Sequence, residues 1–188
     1  MNEKIYNEIL KYNPIDEAEE KDKDAMLYFI KTNEDVLTRD NKIGHFTVSS
    51  WIFNKDKTKV LMIYHNTFKS WAWIGGHVDG DDDFKKVLIK EIEEETGIKN
   101  AKFLQDDIYS LKIVSSNSHI KNGKYVGTHL HLDVEYVLEA DENERIRIKE
   151  DENSGVKWID INKITEYVSE NGIIQHYEKL NRKIIFLN

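Results

Sequence analysis

Two hydrophobic periods divide the chain. Before residue 40 the apolar residues recur at helical spacing: Ile5, Ile9 and Leu10 form a short stripe, and Pro14, the only proline, ends it. A second helical stretch runs from about Ile15 to Lys31, polar at first and apolar from Ala25 to Ile30. From Ile43 the period becomes two. Phe46, Val48, Ser50 and Ile52 alternate with His45, Thr47, Ser49 and Trp51, which predicts a strand. A polar turn at Asn54–Thr58 returns the chain into a second strand, Lys59–His65, and residues 68–74 lead to the glycine pair Gly75 and Gly76. One helical segment follows and closes at Gly97. Beyond it, strand-like runs occupy Lys102–Ser115, and Ser116–Lys124, with its Asn122-Gly123 pair, reads as a turn or loop. Tyr125–Leu138 is the clearest strand, with Leu130, Leu132, Val134, Tyr136 and Leu138 on one face and His129, His131, Asp133 and Glu135 on the other. The charged segment Asp141–Ser154 contains a strand-like Arg145–Ile148, Val156–Ile159 is a short strand, and the remainder reads as one or two helices broken near Gly172. This order predicts an α/β fold, a mixed sheet sandwiched between helices, with a helical extension over 1–40 and a main domain over 41–188.

The segment from Gly75 to Ile98 is organised differently from a helix that needs only to be soluble. Asp81, Asp82 and Asp83 suit an N-cap and first turn, where carboxylates meet the positive end of the helix dipole. Phe84, Val87, Leu88 and Ile92 mark the apolar face. At about 100° per residue, Glu91 and Glu95 fall within about 20° of Phe84, Glu94 lies about 80° to one side, and Glu93 points away. Glutamate runs on surface helices are common, and Lys86 and Lys90 would help to solvate this one. Like charges on the packing face nevertheless break a local rule, and such breaks concentrate at functional sites. A divalent cation held by carboxylate oxygens is the simplest compensation.

Composition narrows the chemistry. With 188 residues the chain supports one sizeable core, and its net charge of −8 argues against a broad footprint for duplex nucleic acid. A small phosphorylated ligand stays open, because bound metal ions supply positive charge locally. No cysteine is present, so thiol nucleophiles, thiolate metal sites and disulfides are absent. No apolar run is long enough to span a membrane, and the first ten residues lack a signal-peptide layout, so a soluble, cytoplasmic protein with no membrane partner is expected. No residue argues for or against a homodimer.

The glycines and glutamates together resemble the Nudix box: a glycine, five residues, a glutamate, seven residues, then Arg-Glu-apolar-x-Glu-Glu-x-Gly-apolar. Here Gly76 precedes Asp82 by that spacing, and Lys90-Glu91-Ile92-Glu93-Glu94-Glu95-Thr96-Gly97-Ile98 follows. The strand hairpin before the box, the lead-in Trp71-Ala-Trp73-Ile-Gly-Gly-His77-Val78 and a late strand carrying Trp158 also fit. The resemblance implies the Nudix fold and hydrolysis, by water attack on phosphorus, of a nucleoside diphosphate linked to another moiety, for example ADP-ribose or another nucleotide sugar. It implies Glu91, Glu94 and Glu95 as metal ligands, with the Gly76 carbonyl beside them, for one to three Mg²⁺ ions or Mn²⁺ in their place. Lys90 and Asp82 stand where the family carries an Arg–Glu pair that braces the box; a lysine keeps the charge and loses the two-pronged fork. The glutamate that many members carry three residues before the last-strand tryptophan is Gly155 here, with Glu152 and Asp133 as substitutes. Glu91, Glu95 and an acid outside the box all stay open as general base.

The remaining candidates are histidines and tryptophans. His129, His131 and Asp133 share a strand face and offer metal or phosphate contacts, against the commoner reading of a solvated or hydrogen-bonded polar face. His77 at the mouth of the box is a candidate phosphate contact, and Trp71 and Trp73 are candidates for base stacking or for core. His45, His65, His119 and His176 carry little signal on their own. Two functional classes follow: a metal-dependent pyrophosphohydrolase, or a catalytically silent nucleotide-binding or regulatory protein of the same fold. The isomerase branch of the fold uses a cysteine that this chain lacks.

Overall fold

The computed structural model describes residues 2–67, 69–121, 123–169 and 171–187. Phe68, in the lead-in to the glycine pair, and Asn122, of the Asn-Gly pair, lie outside the described residues. The chain opens with α1 (Glu3–Lys11) and α2 (Glu17–Thr32), capped by Asn2 and Asp16, whose side chains accept from the amides of Ile5 and Glu19. There follow β1 (Gly44–Asn54), β2 (Lys59–His65), β3 (Ser70–Ala72), β4 (Ile74–His77), α3 (Phe84–Thr96), β5 (Lys102–Phe103), β6 (Ser110–Ser116), β7 (His119–Lys121), β8 (Lys124–Val126), β9 (His129–Ala140), β10 (Asn153–Asp160), α4 (Ile164–Tyr167) and α5 (Asn171–Lys183). Strands run in the order β10-β2-β1-β9-β5, with β3 beside β2, β4 beside β1 and β6 beside β9, while β7 and β8 pair separately.

By contact the chain divides into two compact units: one holds the chain through Val48 with Gly76–Val87 and Asp107–Glu135, the other Ser49–Gly75, Leu88–Asp106 and the chain from Tyr136 onward. In the first, the helical hairpin is tied to β6: Ile113 N donates to Asp22 Oδ2 at 3.0 Å and Ser110 Oγ to Glu19 Oε1 at 2.7 Å. Glu19 is fully buried and also accepts from the Tyr12 hydroxyl. Lys112 lies buried between Asp133 at 2.8 Å and Glu135 at 3.4 Å, and Thr47 Oγ1 donates to Asp133 at 2.6 Å. Burial alone would lower the Lys112 pKa, but the two carboxylates outweigh it and the net direction is up. The polar face of β9 is therefore packed and ion-paired here rather than solvated. Leu130 N reaches Ile43 O and Thr47 reaches Asp133, so β1 and β9 ascend together and run parallel, which makes the sheet mixed.

In the second unit, β2 is antiparallel to β1, β3 and β10, with Ile52 opposite Leu61, Ile63 opposite Ala72 and Trp158 opposite Leu61. Trp51, fully buried, stacks on Tyr177 with ring centroids 4.8 Å apart and donates its indole N–H to Asn181 Oδ1, which docks α5.

The strand predicted from the alternation after Ile43 is β1, and all eleven of its residues are buried, so it is covered on both faces. Later in the chain two strand expectations change. Tyr125–Leu138 is not one strand: Gly127 and Thr128 separate β8 from β9. Arg145–Ile148 forms no strand, because Arg147 N is spent on Thr96 O at the end of α3.

Candidate metal and active site

Helix α3 starts where the aspartates place it. Asp83 caps it by accepting from Lys86 N at 3.1 Å, and Asp81 accepts from Asp83 N. Asp82 is exposed and pairs with Lys4 at 2.9 Å. At the other end Gly97 adopts φ +81° and donates to Glu93 O; a Cβ there would lie 2.8 Å from Arg147 Cγ as well as in the left-handed region. Lys90 makes an exposed i,i+4 pair with Glu94 at 3.3 Å. The expected Asp82–Lys90 brace is thus replaced by a separate partner for each side chain.

The loop after β9 folds back on the C-terminal end of α3. Arg147 donates its backbone N–H to Thr96 O and its guanidinium to Glu93 O, while Asn153 Nδ2 donates to Glu95 O at 3.0 Å. Cationic Arg147 and Lys149 suit the negative end of the helix dipole. Asn153 is fully buried and accepts from Lys149 N through Oδ1. These bonds bring Glu152 to the helix.

Carboxylate oxygens of Glu91, Glu95 and Glu152 then lie within 4.8 Å of one another. Glu95 is only 3% exposed, and its Oε2 accepts from Gly75 N at 3.2 Å. Burial, followed by the charges of Glu91 and Glu152, holds its pKa well above the carboxylate range. Burial and Glu152 likewise raise Glu91. Glu94 is different: Lys149 at 3.2 Å, then Lys90, lowers its pKa, and the same Lys149 pairs with Glu152 at 3.0 Å. Lys149 is itself raised, its two carboxylate partners outweighing desolvation.

Of the residues singled out from sequence, Glu91 and Glu95 converge, Glu94 stands beside them held by lysines, and Gly76 lies half-buried on β4 next to the glycine that donates to Glu95. Glu152 completes the acidic group, whereas Asp133 is committed to Lys112 and Thr47. What points to Glu152 in the sequence is the acid missing at Gly155; the structure places Glu152 just before an irregularity in β10 between Asn153 and Gly155. Glycine at 155 also leaves room for the Trp71 ring, which a Cβ would approach to 3.1 Å. Trp71 meets Tyr64 and Tyr167 edge-on, and Trp73 meets His176 and Tyr177, so both tryptophans are half-buried packing residues. His77, His129 and His131 gather with His45 in the first unit.

The NUDIX domain family model matches residues 44–180. The chain belongs to the Nudix family. It is a Nudix hydrolase, an enzyme of the pyrophosphohydrolase type. It is 32% identical over 121 residues to an RNA pyrophosphohydrolase of Pelagibacter ubique (strain HTCC1062), covering 62% of this chain and 77% of that one. The fold is similar to that of a C. elegans Ap4A hydrolase binary complex (TM-score 0.56, 15% identity, 75% of this chain and 98% of that). It is also similar to the NUDIX domain of Shewanella oneidensis NrtR complexed with ADP ribose (TM-score 0.54, 17% identity, 84% and 97%). In Nudix terms, α3 with its preceding loop is the Nudix box, and its acidic group is suited to binding a metal ion.

Proposed function

We propose that this Nudix hydrolase is dependent on Mg²⁺ or Mn²⁺ and cleaves the diphosphate linkage of a nucleoside diphosphate joined to another moiety, with ADP-ribose and other nucleotide sugars as representative substrates. The observation that carries this reading is the convergence of Glu91, Glu95 and Glu152 around a carboxylate that is almost fully buried. Three carboxylates with raised proton affinity in two of them form an oxygen-rich site that calls for a hard divalent cation. A cation held there would neutralise diphosphate charge and acidify the attacking water.

The chain's own residues do the rest. Glu91, Glu95 and Glu152 hold the cation, and Gly75 N–H fixes Glu95 in place. Lys149 orients Glu94 and Glu152 and adds positive charge where an anionic substrate needs it. The likeness to an RNA pyrophosphohydrolase favours a second substrate, the 5′-phosphorylated end of an RNA, in which the linked moiety is a polynucleotide. A single-stranded 5′ end needs no broad basic face, so the net charge of −8 does not weigh against it.

Turnover with Mg²⁺ or Mn²⁺ over ADP-ribose, other nucleotide sugars, dinucleoside polyphosphates, nucleoside triphosphates and a 5′-triphosphorylated oligonucleotide tests both. The expected result is metal-dependent release of a mononucleotide or of diphosphate from at least one class, lost in Glu95→Gln. Absence of turnover across the panel, with no Mg²⁺ or Mn²⁺ binding by calorimetry, overturns the proposal.

A further inference from the structure

Four histidines from three separate stretches of chain meet in the first unit: His45 on β1, His77 at the end of β4, and His129 and His131 on β9. One ring nitrogen from each lies within 4.8 Å of the others. The rings pack closely, with His45 4.9 Å from His129, 5.0 Å from His77 and 5.3 Å from His131 by centroid, and His77 4.8 Å from His131. A sheet interior has no packing need for four imidazoles in one place, since aliphatic side chains of similar volume would fill it without polar atoms to satisfy.

Hydrogen bonding fixes how these rings face one another. His45 Nδ1 lies 3.3 Å from Asn41 O and His129 Nδ1 2.8 Å from Gly127 O. A carbonyl only accepts, so each Nδ1 carries the proton, and in the neutral ring each Nε2 presents a bare lone pair. His45 Nε2 is buried and has no hydrogen-bond partner among the described residues, on a side chain only 4% exposed. His129 Nε2 and His131 Nε2 share a hydrogen bond at 3.0 Å, a contact that a bound cation would replace. At His45 a backbone carbonyl holds the outer nitrogen and the inner one has no partner among the described residues, the arrangement that supports a metal-ligating histidine.

We propose that His45, His77, His129 and His131 form a zinc-type metal site separate from the glutamate group. Four neutral nitrogen donors without an oxygen donor select Zn²⁺ over Mg²⁺ or Ca²⁺. A tetrahedral Zn²⁺ site with ligands at about 2.0–2.1 Å has nitrogens roughly 3.4 Å apart, so the cluster needs only a modest contraction. Neutral imidazoles offer lone pairs to a cation and little attraction to a phosphate. With four protein ligands the site is closed, and its effect is to tie the start of β1, the end of β4 and the start of β9 together within their unit.

The test uses the full chain stripped of metal with a chelator. Calorimetric titration with Zn²⁺ is expected to show one tight equivalent, retained in Glu91→Gln/Glu95→Gln and weakened at least about tenfold in His45→Ala and in His131→Ala. Co²⁺ in place of Zn²⁺ is expected to give the intense visible absorption of a tetrahedral centre. X-ray absorption of the zinc-loaded wild type, which depends on no variant, is expected to show a shell of imidazole nitrogens at about 2.0–2.1 Å. The proposal is overturned by failure of the stripped wild type to bind Zn²⁺, by zinc loss with the glutamates instead of the histidines, by an oxygen shell, or by inorganic phosphate binding there in place of the metal.

Discussion

At the scale of single residues, Glu95 and its neighbours set the electrostatic tension of the second unit. Its carboxylate is 3% exposed, accepts from Gly75 N and sits among Glu91 and Glu152. A carboxyl whose folded pKa is raised favours the proton, so its contribution to stability is present below the usual carboxylate pKa and is lost as pH rises through the raised value. The metal-free protein is therefore expected to lose stability from this group as pH rises above the usual carboxylate pKa, and saturating Mg²⁺ to raise Tm more at about pH 8 than at about pH 5. Thermal unfolding with and without Mg²⁺ at both values checks this; an equal gain at both would contradict it. Removing the charge in Glu95→Gln is expected to raise the Tm of the metal-free protein at pH about 8, by about 2–4 °C per kcal/mol recovered, while abolishing turnover. Asp82 is an exposed partner of Lys4, so Asp82→Ala is expected to change kcat by less than about threefold, an exposed pair being worth about 0–1 kcal/mol. The wheel identified Glu91 and Glu95 because both lie on one element and helical geometry relates them. It had no access to Glu152, which arrives through a bulge and a loop, or to His45 and His77, which meet His129 and His131 only through tertiary structure.

At the scale of elements, the N-terminal end of α3 was legible because capping is local: Asp83 and the following amides are neighbours in sequence. Its C-terminal end was half legible, Gly97 being visible and the loop that closes on it not. The strand-like Arg145–Ile148 shows why: its alternation is real, but its backbone caps a helix instead of joining a ladder. Asn153 holds that loop through Glu95 O and Lys149 N. Asn153→Ala is expected to cost about 1–3 kcal/mol by urea unfolding and to lower kcat, because Glu152 loses its anchor; unchanged kcat would show that Glu152 is positioned otherwise. In the first unit, the polar face of β9, which alternation left either solvated or hydrogen-bonded, is covered and ion-paired. Lys112→Met is expected to cost about 3–5 kcal/mol, since it leaves Asp133 and Glu135 buried without their cation. A loss below about 1 kcal/mol in denaturant unfolding would contradict that assignment.

At the scale of the whole molecule, the α/β class and the Nudix family were readable from the order of elements and one motif. The two compact units were not, because each combines segments distant in sequence. Each unit carries its own cluster of residues that could hold a metal ion, oxygen donors in one and nitrogen donors in the other. Mg²⁺ and Zn²⁺ are accordingly expected to raise stability independently, each by about 2.7 kcal/mol at a hundred times its Kd. Among the described residues no helix is long and apolar enough to cross a membrane. The action of the α3 acids on a diphosphate is the centre of the proposed function. The measurement that tests it most directly is steady-state turnover of the wild type and Glu95→Gln on the substrate panel with Mg²⁺ or Mn²⁺. Metal-dependent cleavage by the wild type, reduced at least about a hundredfold in Glu95→Gln, is the expected result. Equal turnover by the two proteins, or turnover that persists in chelator, would contradict it.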